Sequence, residues 1–143
     1  MLAPSFELTI LMNGVDIIEL GLPFTDPIAD GPTIQKSNLK ALKNGVTITS
    51  MLEMVREARR KGLKTPVLFM GYYNPLLRYG ESQILADCKD AGVNGFIIVD
   101  LPPEDAIRFR NGCTKMGYVL PSGIGKFQVI GLLTPLTVSP TSH

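Results

Sequence analysis

Hydrophobic residues along this chain follow two alternating rhythms. Short runs are mostly and continuously apolar: Val15-Asp16-Ile17-Ile18-Glu19-Leu20, Pro66-Val67-Leu68-Phe69-Met70, Val93 to Asp100, and Tyr118-Val119-Leu120. Such runs fit strands covered on both faces, as in a parallel sheet. Between them, apolar positions recur at helical spacing. Ile34, Leu39 and Leu42 predict a short helix ending near Gly45. Met51, Leu52, Val55 and Ala58 predict a second, with Glu53, Arg56, Glu57 and Arg60 largely opposite. Thr47 is its candidate N-cap and Gly62 its stop. Ile84, Leu85, Cys88 and Ala91 mark a third, and Glu104 to Met116 a fourth. Pro102 and Pro103 open that last helix, where a missing N–H is tolerated.

One phrase repeats: amphipathic helix, glycine, apolar strand. Met12-Asn13-Gly14, Arg60-Lys61-Gly62, Asp90-Ala91-Gly92 and Lys115-Met116-Gly117 each lead into one of the runs. Helices alternating with buried strands predict βαβ units, a parallel sheet and right-handed crossovers. Two α/β architectures compete. A doubly wound sheet usually carries a glycine-rich phosphate turn after its first strand. The turn after Leu20 instead carries Pro23, Pro27, Pro32 and acids. A (β/α)8 barrel places its chemistry at strand C-terminal ends and in the loops that follow. Glu19 and Asp30 match that placement, as do Tyr72, Tyr73 and Asn74. A whole barrel takes about 250 residues, and this chain has 143. The expectation is a partial (β/α)8 barrel over residues 1–117, with three to four βα units and parallel strands. Residues 118–143 read as a divergent tail, rich in proline and glycine.

Composition narrows the function classes. The net charge is +1, and no basic stripe with interleaved aromatics appears, so nucleic acid is not an expected partner. No apolar run reaches the ~20 residues of a membrane helix, and Met1-Leu2-Ala3-Pro4 lacks the form of a secretory leader. Cys88 and Cys113 are isolated and sit in helical patterns, which suits buried thiols in the reducing cytoplasm. The single histidine is the last residue, so no metal site is expected.

The chemistry concentrates in Ile18 to Pro32. Glu19 interrupts an apolar strand, where an unpaired carboxylate is costly to bury. Asp30 closes the following loop, before Gly31-Pro32. An acid at a strand end and a second in the next loop suggest general acid/base work. Both have blander readings: Glu19 as a paired structural carboxylate, Asp30 as a turn former. Asp26-Pro27 reads as a turn. Gly123-Ile124-Gly125-Lys126 is too short for a phosphate motif and reads as a plain loop.

The run Gly14-Val15-Asp16-Ile17-Ile18-Glu19-Leu20-Gly21-Leu22-Pro23-Phe24-Thr25-Asp26-Pro27-Ile28-Ala29-Asp30-Gly31-Pro32-Thr33-Ile34-Gln35 resembles the signature of the tryptophan synthase alpha chain. Met70-Gly71-Tyr72-Tyr73-Asn74-Pro75 and Gly95 to Glu104 resemble the family's next two strand-and-loop segments. The resemblance runs from about Phe6 to Gly117, in the style of fungal enzymes with fused alpha and beta parts. It implies a (β/α)8 barrel and a lyase of tryptophan biosynthesis. That lyase cleaves indole-3-glycerol phosphate to indole and glyceraldehyde 3-phosphate by a retro-aldol step. It implies no cofactor in this domain, and a beta partner whose pyridoxal phosphate joins indole to serine. Glu19 matches the family's acid/base residue, and burial would raise its pKa towards neutrality. Asp30 matches the residue that holds the indole N–H. Met70, Tyr72, Ile97 and Val99 match positions lining the ring pocket. The loop holding Asp26-Pro27 also faces the beta partner in the family. Asp100 gains no central role.

The chain departs from the family at both ends. Only Met1 to Ser5 stands before the helix that Phe6 to Met12 resembles, too little for a first strand and loop. After Gly117 nothing resembles the family's later phosphate loops. Low turnover and an unstable, aggregating or self-pairing chain are therefore expected. Two rivals stand beside the lyase. One is an inactive module that binds a beta chain. The other is a different sugar-phosphate barrel enzyme, although no lysine ends a strand to support Schiff-base chemistry.

Overall fold

A computed structural model describes residues 14–118, and the backbone of residues 128–130. The Phe6–Met12 helix, Val119-Leu120 and the loop at Gly123–Lys126 lie outside the described residues. The order is β1 (Ile18–Gly21), α1 (Pro32–Lys43), α2 (Ile48–Arg60), β2 (Val67–Gly71), α3 (Tyr73–Tyr79), α4 (Glu81–Ala91), β3 (Gly95–Ile98), α5 (Pro103–Lys115) and β4 (Gln128–Ile130). Among the described residues no helix is long and apolar enough to cross a membrane.

The sheet order is β1-β2-β3-β4. β1 and β3 each pair with β2 in parallel. This is the α/β arrangement of a barrel segment, with helices connecting parallel strands. The fourth strand differs from the other three in direction. Tyr118 lies in no strand, and the rest of its run, Val119-Leu120, lies outside the described residues; Gln128–Ile130 lies antiparallel to β3, pairing Phe96 with Ile130 and Ile98 with Gln128. The edge of β3 offers unpaired N–H and C=O groups, which a short strand satisfies in either direction.

Helix boundaries follow local chemistry. Thr47 caps α2 as expected: Ser50 N–H donates to its hydroxyl at 3.1 Å, and Thr47 N–H donates to the Ser50 hydroxyl at 2.9 Å. Gly92 ends α4 at φ 93°, in the left-handed region. A side chain there would also strike Arg59, 2.9 Å from where its Cβ would sit.

The core lies on one side of the sheet. Ile18, Val67, Phe69, Phe96 and Ile98 point into it from the strands. Met51, Leu52 and Val55 of α2, Ile84, Leu85 and Cys88 of α4, and Phe109 and Cys113 of α5 meet them. Phe96 is the hub, edge-on to Phe69 at 6.5 Å and to Phe109 at 5.6 Å. Both thiols are buried, and burial pushes them up, Cys113 to about 12.

Arg59 secures the end of the sheet where β2 and β3 begin. Its guanidinium donates to the carbonyls of Leu63 at 2.7 Å and Thr65 at 2.8 Å, ahead of β2. It donates twice to Gly92 O, at 3.1 and 2.9 Å, and once to Asn94 Oδ1 at 2.8 Å, ahead of β3. Asn94 Oδ1 also accepts from Val67 N–H at 2.9 Å. On the far side of the core, Arg108 pairs with Glu81 at 2.8 Å and with Asp105 at 2.8 Å, and reaches the Tyr73 hydroxyl at 3.0 Å. Tyr73 also donates to Glu81.

Candidate active site

The strand ends opposite Arg59 open into a cleft of about 290 Å³. Each parallel strand contributes to it: Gly21 and Leu22 from the end of β1, Met70 to Tyr72 from β2, and Val99 just beyond β3. Asp30, and Ile34, Ser37, Asn38 and Ala41 of α1, close the remaining wall.

Register explains which side chains share this face. Glu19 pairs with Leu68, Gly21 with Met70, and Met70 with Ile97. Residues in register or two apart point the same way. Glu19, Met70 and Ile97 therefore lie on the face away from the core helices. Asp30, Met70, Tyr72 and Val99 line the cleft together. Ile97 and Glu19 do not line it. Ile97 is buried in β3. Glu19 sits two positions before Gly21, and its side chain is exposed. This corrects the expectation of a Glu19 buried among apolar neighbours. Among the described residues β1 pairs only with β2, and only Ile18 of β1 is fully buried. The apolar run around Glu19 covers one side of the strand, not two.

Asp30 is half-buried and is carried by the loop 22–31, which side chains from elsewhere fix. Phe24 N–H donates to Asn38 Oδ1 at 2.8 Å, and Asn38 Nδ2 donates back to the Phe24 carbonyl. Gln35 Nε2 donates to the carbonyls of Asp30 at 2.9 Å and Pro27 at 3.4 Å. Ala29 N–H donates to the Tyr72 hydroxyl at 2.9 Å, while the Phe24 ring leans on that of Tyr72 at 5.2 Å. Burial raises the Tyr72 hydroxyl above its ordinary range; the Ala29 N–H opposes the shift and the nearby Asp30 carboxylate adds to it. Asn38 and Gln35 gained no role from sequence alone. The signal that could have found them is their place three residues apart on the helix that follows the acidic loop. Asp100 is exposed and caps α3, accepting the Tyr73 N–H at 2.7 Å.

Residues 5–121 match the family model of the tryptophan synthase alpha chain. This chain belongs to that family. The tryptophan synthase of Saccharomyces cerevisiae is 56% identical over 125 residues, covering 87% of this chain and 16% of that protein. Tryptophan synthase subunit alpha from Legionella pneumophila superposes with a TM-score of 0.75 at 40% identity, over 80% of this chain and 44% of that one. A chain of the tryptophan synthase complex from Pyrococcus furiosus does so with a TM-score of 0.71 at 44% identity, over 78% and 46%. The chain thus spans less than half the length of each of these relatives. Residues 14–118 of this alpha-chain family member form a run of parallel βα units with the cleft at the strand C-terminal ends, where barrel enzymes carry their chemistry.

Proposed function

We propose that this chain takes part in tryptophan biosynthesis by cleaving indole-3-glycerol phosphate to indole and glyceraldehyde 3-phosphate. One juxtaposition carries the reading: Asp30 lines the same cleft as the apolar side chains of Leu22, Ile34, Met70 and Val99 and the Tyr72 ring. A mostly apolar slot with a few placed polar groups and one carboxylate suits a flat heteroaromatic ring. Breaking the bond from ring carbon 3 to the side chain requires a proton at that carbon. The side-chain hydroxyl must lose its proton as its carbon becomes the aldehyde. Positive charge gathers meanwhile at the ring nitrogen. Asp30 accepts the ring N–H and stabilises that charge. Glu19, on the same face of β1, moves the protons. Met70, Tyr72 and Val99 hold the ring, and Ile97 lies beneath it. No cofactor of this domain takes part. The released indole goes to a beta chain or domain, whose pyridoxal phosphate joins it to serine. The free, buried thiols of Cys88 and Cys113 suit the cytoplasm.

Indole release from indole-3-glycerol phosphate tests the assignment. Turnover by this chain alone is expected to be slow. Glu19→Gln is expected to lower it by about 10²–10⁴, and Asp30→Asn by about 10². A rate that survives both substitutions sinks the assignment. The exposure of Glu19 favours one other reading, an interaction module that binds a beta chain without chemistry. Co-purification with a beta chain, without indole release, would select it.

A further inference from the structure

We propose that Gln35 and Asn38 of α1 are positioning residues that set the place of Asp30 in the cleft. The proposal rests on the reading of Asp30 as the indole anchor. Asp30 lies outside any helix or strand, so its position depends on what holds the loop. The Asn38 carboxamide satisfies both polar groups of Phe24, accepting its N–H at 2.8 Å and donating to its carbonyl, as a neighbouring strand would. Gln35 holds the far end of the loop at the Asp30 carbonyl, 2.9 Å away. Residues three apart share a helix face, so one face of α1 grips both ends. α1 buries none of its residues. The two carboxamides therefore tie the loop to a helix whose side chains are at most half-buried. Both side chains are neutral amides and carry no proton chemistry themselves. Their effect passes through Asp30, whose misplacement by about 1 Å can cost ~10²-fold in rate.

The test uses the full chain with Asn38→Ala, Asn38→Asp and Gln35→Ala, read first by amide hydrogen exchange. Asn38→Ala is expected to speed exchange about fivefold at Phe24 and also at Ala29 and Asp30, leaving Phe69 and Phe96 unchanged. Gln35→Ala should speed it at Ala29 and Asp30. Asn38→Asp keeps the acceptor for the Phe24 N–H and should restore part of the protection. If Asn38→Ala loses the core protection as well, the other two variants decide. The second readout is indole titration in a cycle with Asp30→Asn. Asn38→Ala is expected to weaken indole about fivefold, and to add nothing once Asp30 is already asparagine. Faster exchange confined to Phe24, or an equal loss of indole in both backgrounds, would make Asn38 a plain clamp and overturn the proposal. Unchanged indole affinity in Asp30→Asn alone would instead remove the anchor reading. Exchange at Asp30 would then still decide whether the two amides hold it.

Discussion

Removing the Arg59 guanidinium should weaken the fold without touching the cleft. Five donated bonds converge from it on three carbonyls and the Asn94 side chain. All of these acceptors lie just before β2 or β3, at the end of the sheet away from Asp30. Burial lowers the Arg59 pKa, yet a guanidinium stays charged at neutral pH. Hydrogen bonds from a charged group contribute about 1.5–3 kcal/mol each. The five are not independent, because one planar group makes them all. Arg59 is also only half-buried, so water can reach some of the vacated carbonyls. Arg59→Met keeps the apolar stem and isolates the lost polar contacts, for an expected loss of about 2–3 kcal/mol. Arg59→Lys offers a single point of charge in place of the fork and should recover less than half of that. Urea unfolding followed by circular dichroism measures both. With a slope of about 1–3 kcal/mol per molar, the midpoint for Arg59→Met should fall by roughly 0.7–3 M. Indole affinity of the folded variants should not change. A loss below ~0.5 kcal/mol for Arg59→Met, or a lysine variant as stable as the parent, would refute the reasoning.

Three further outcomes follow from the packing. The hydrogen bond from Arg108 holds the Glu81 carboxyl below its ordinary 4.5, against burial and with help from Tyr73. A depressed folded value means stability that is complete above pH 4.5 and lost as the pH falls through the folded value. Glu81→Gln should therefore flatten the acid limb of the stability curve, and parallel limbs in the two proteins would contradict this. Cys88 and Cys113 should resist an aromatic disulfide reagent until urea unfolds the chain, since both are buried and their thiols are shifted up. Prompt labelling of either in native buffer would disprove their burial. Gly92→Ala should cost about 1–3 kcal/mol by thermal unfolding, because φ is 93° and Arg59 fills the space. A neutral result would mean that the end of α4 rearranges freely.

Most of the parallel frame was legible because it is written locally. The glycine at each helix end and the apolar run after it mark β2 and β3 within a residue or two. Thr47 with Ser50 announces the start of α2. What escaped depends on distant partners. α3 begins straight after β2, where Tyr72 and Tyr73 read as a strand-end loop; the Asp100 carboxylate that caps it arrives from beyond β3. β4 has only three residues, and its direction is set by a free edge rather than by its own pattern. The burial expected of Glu19 fails because continuous apolarity says that a strand is covered without saying on which side. Of the positions the family motif implies, Met70, Tyr72 and Val99 reach the cleft and Ile97 does not. The amides of α1 that hold Asp30 carry no periodic signal.

α1 has a consequence that reaches beyond its length. With no side chain sunk into the core, its melting exposes little that the rest of the protein needs covered. The free energy of a sub-global opening tracks what is uncovered, so this one lies far below complete denaturation. One such excursion would dissolve the acidic wall of the cleft while Met70 and Tyr72 stayed in place. Among the described residues, a protease would therefore reach residues 32–43 before the helices that pack on the core, and the cut chain would no longer hold the carboxylate.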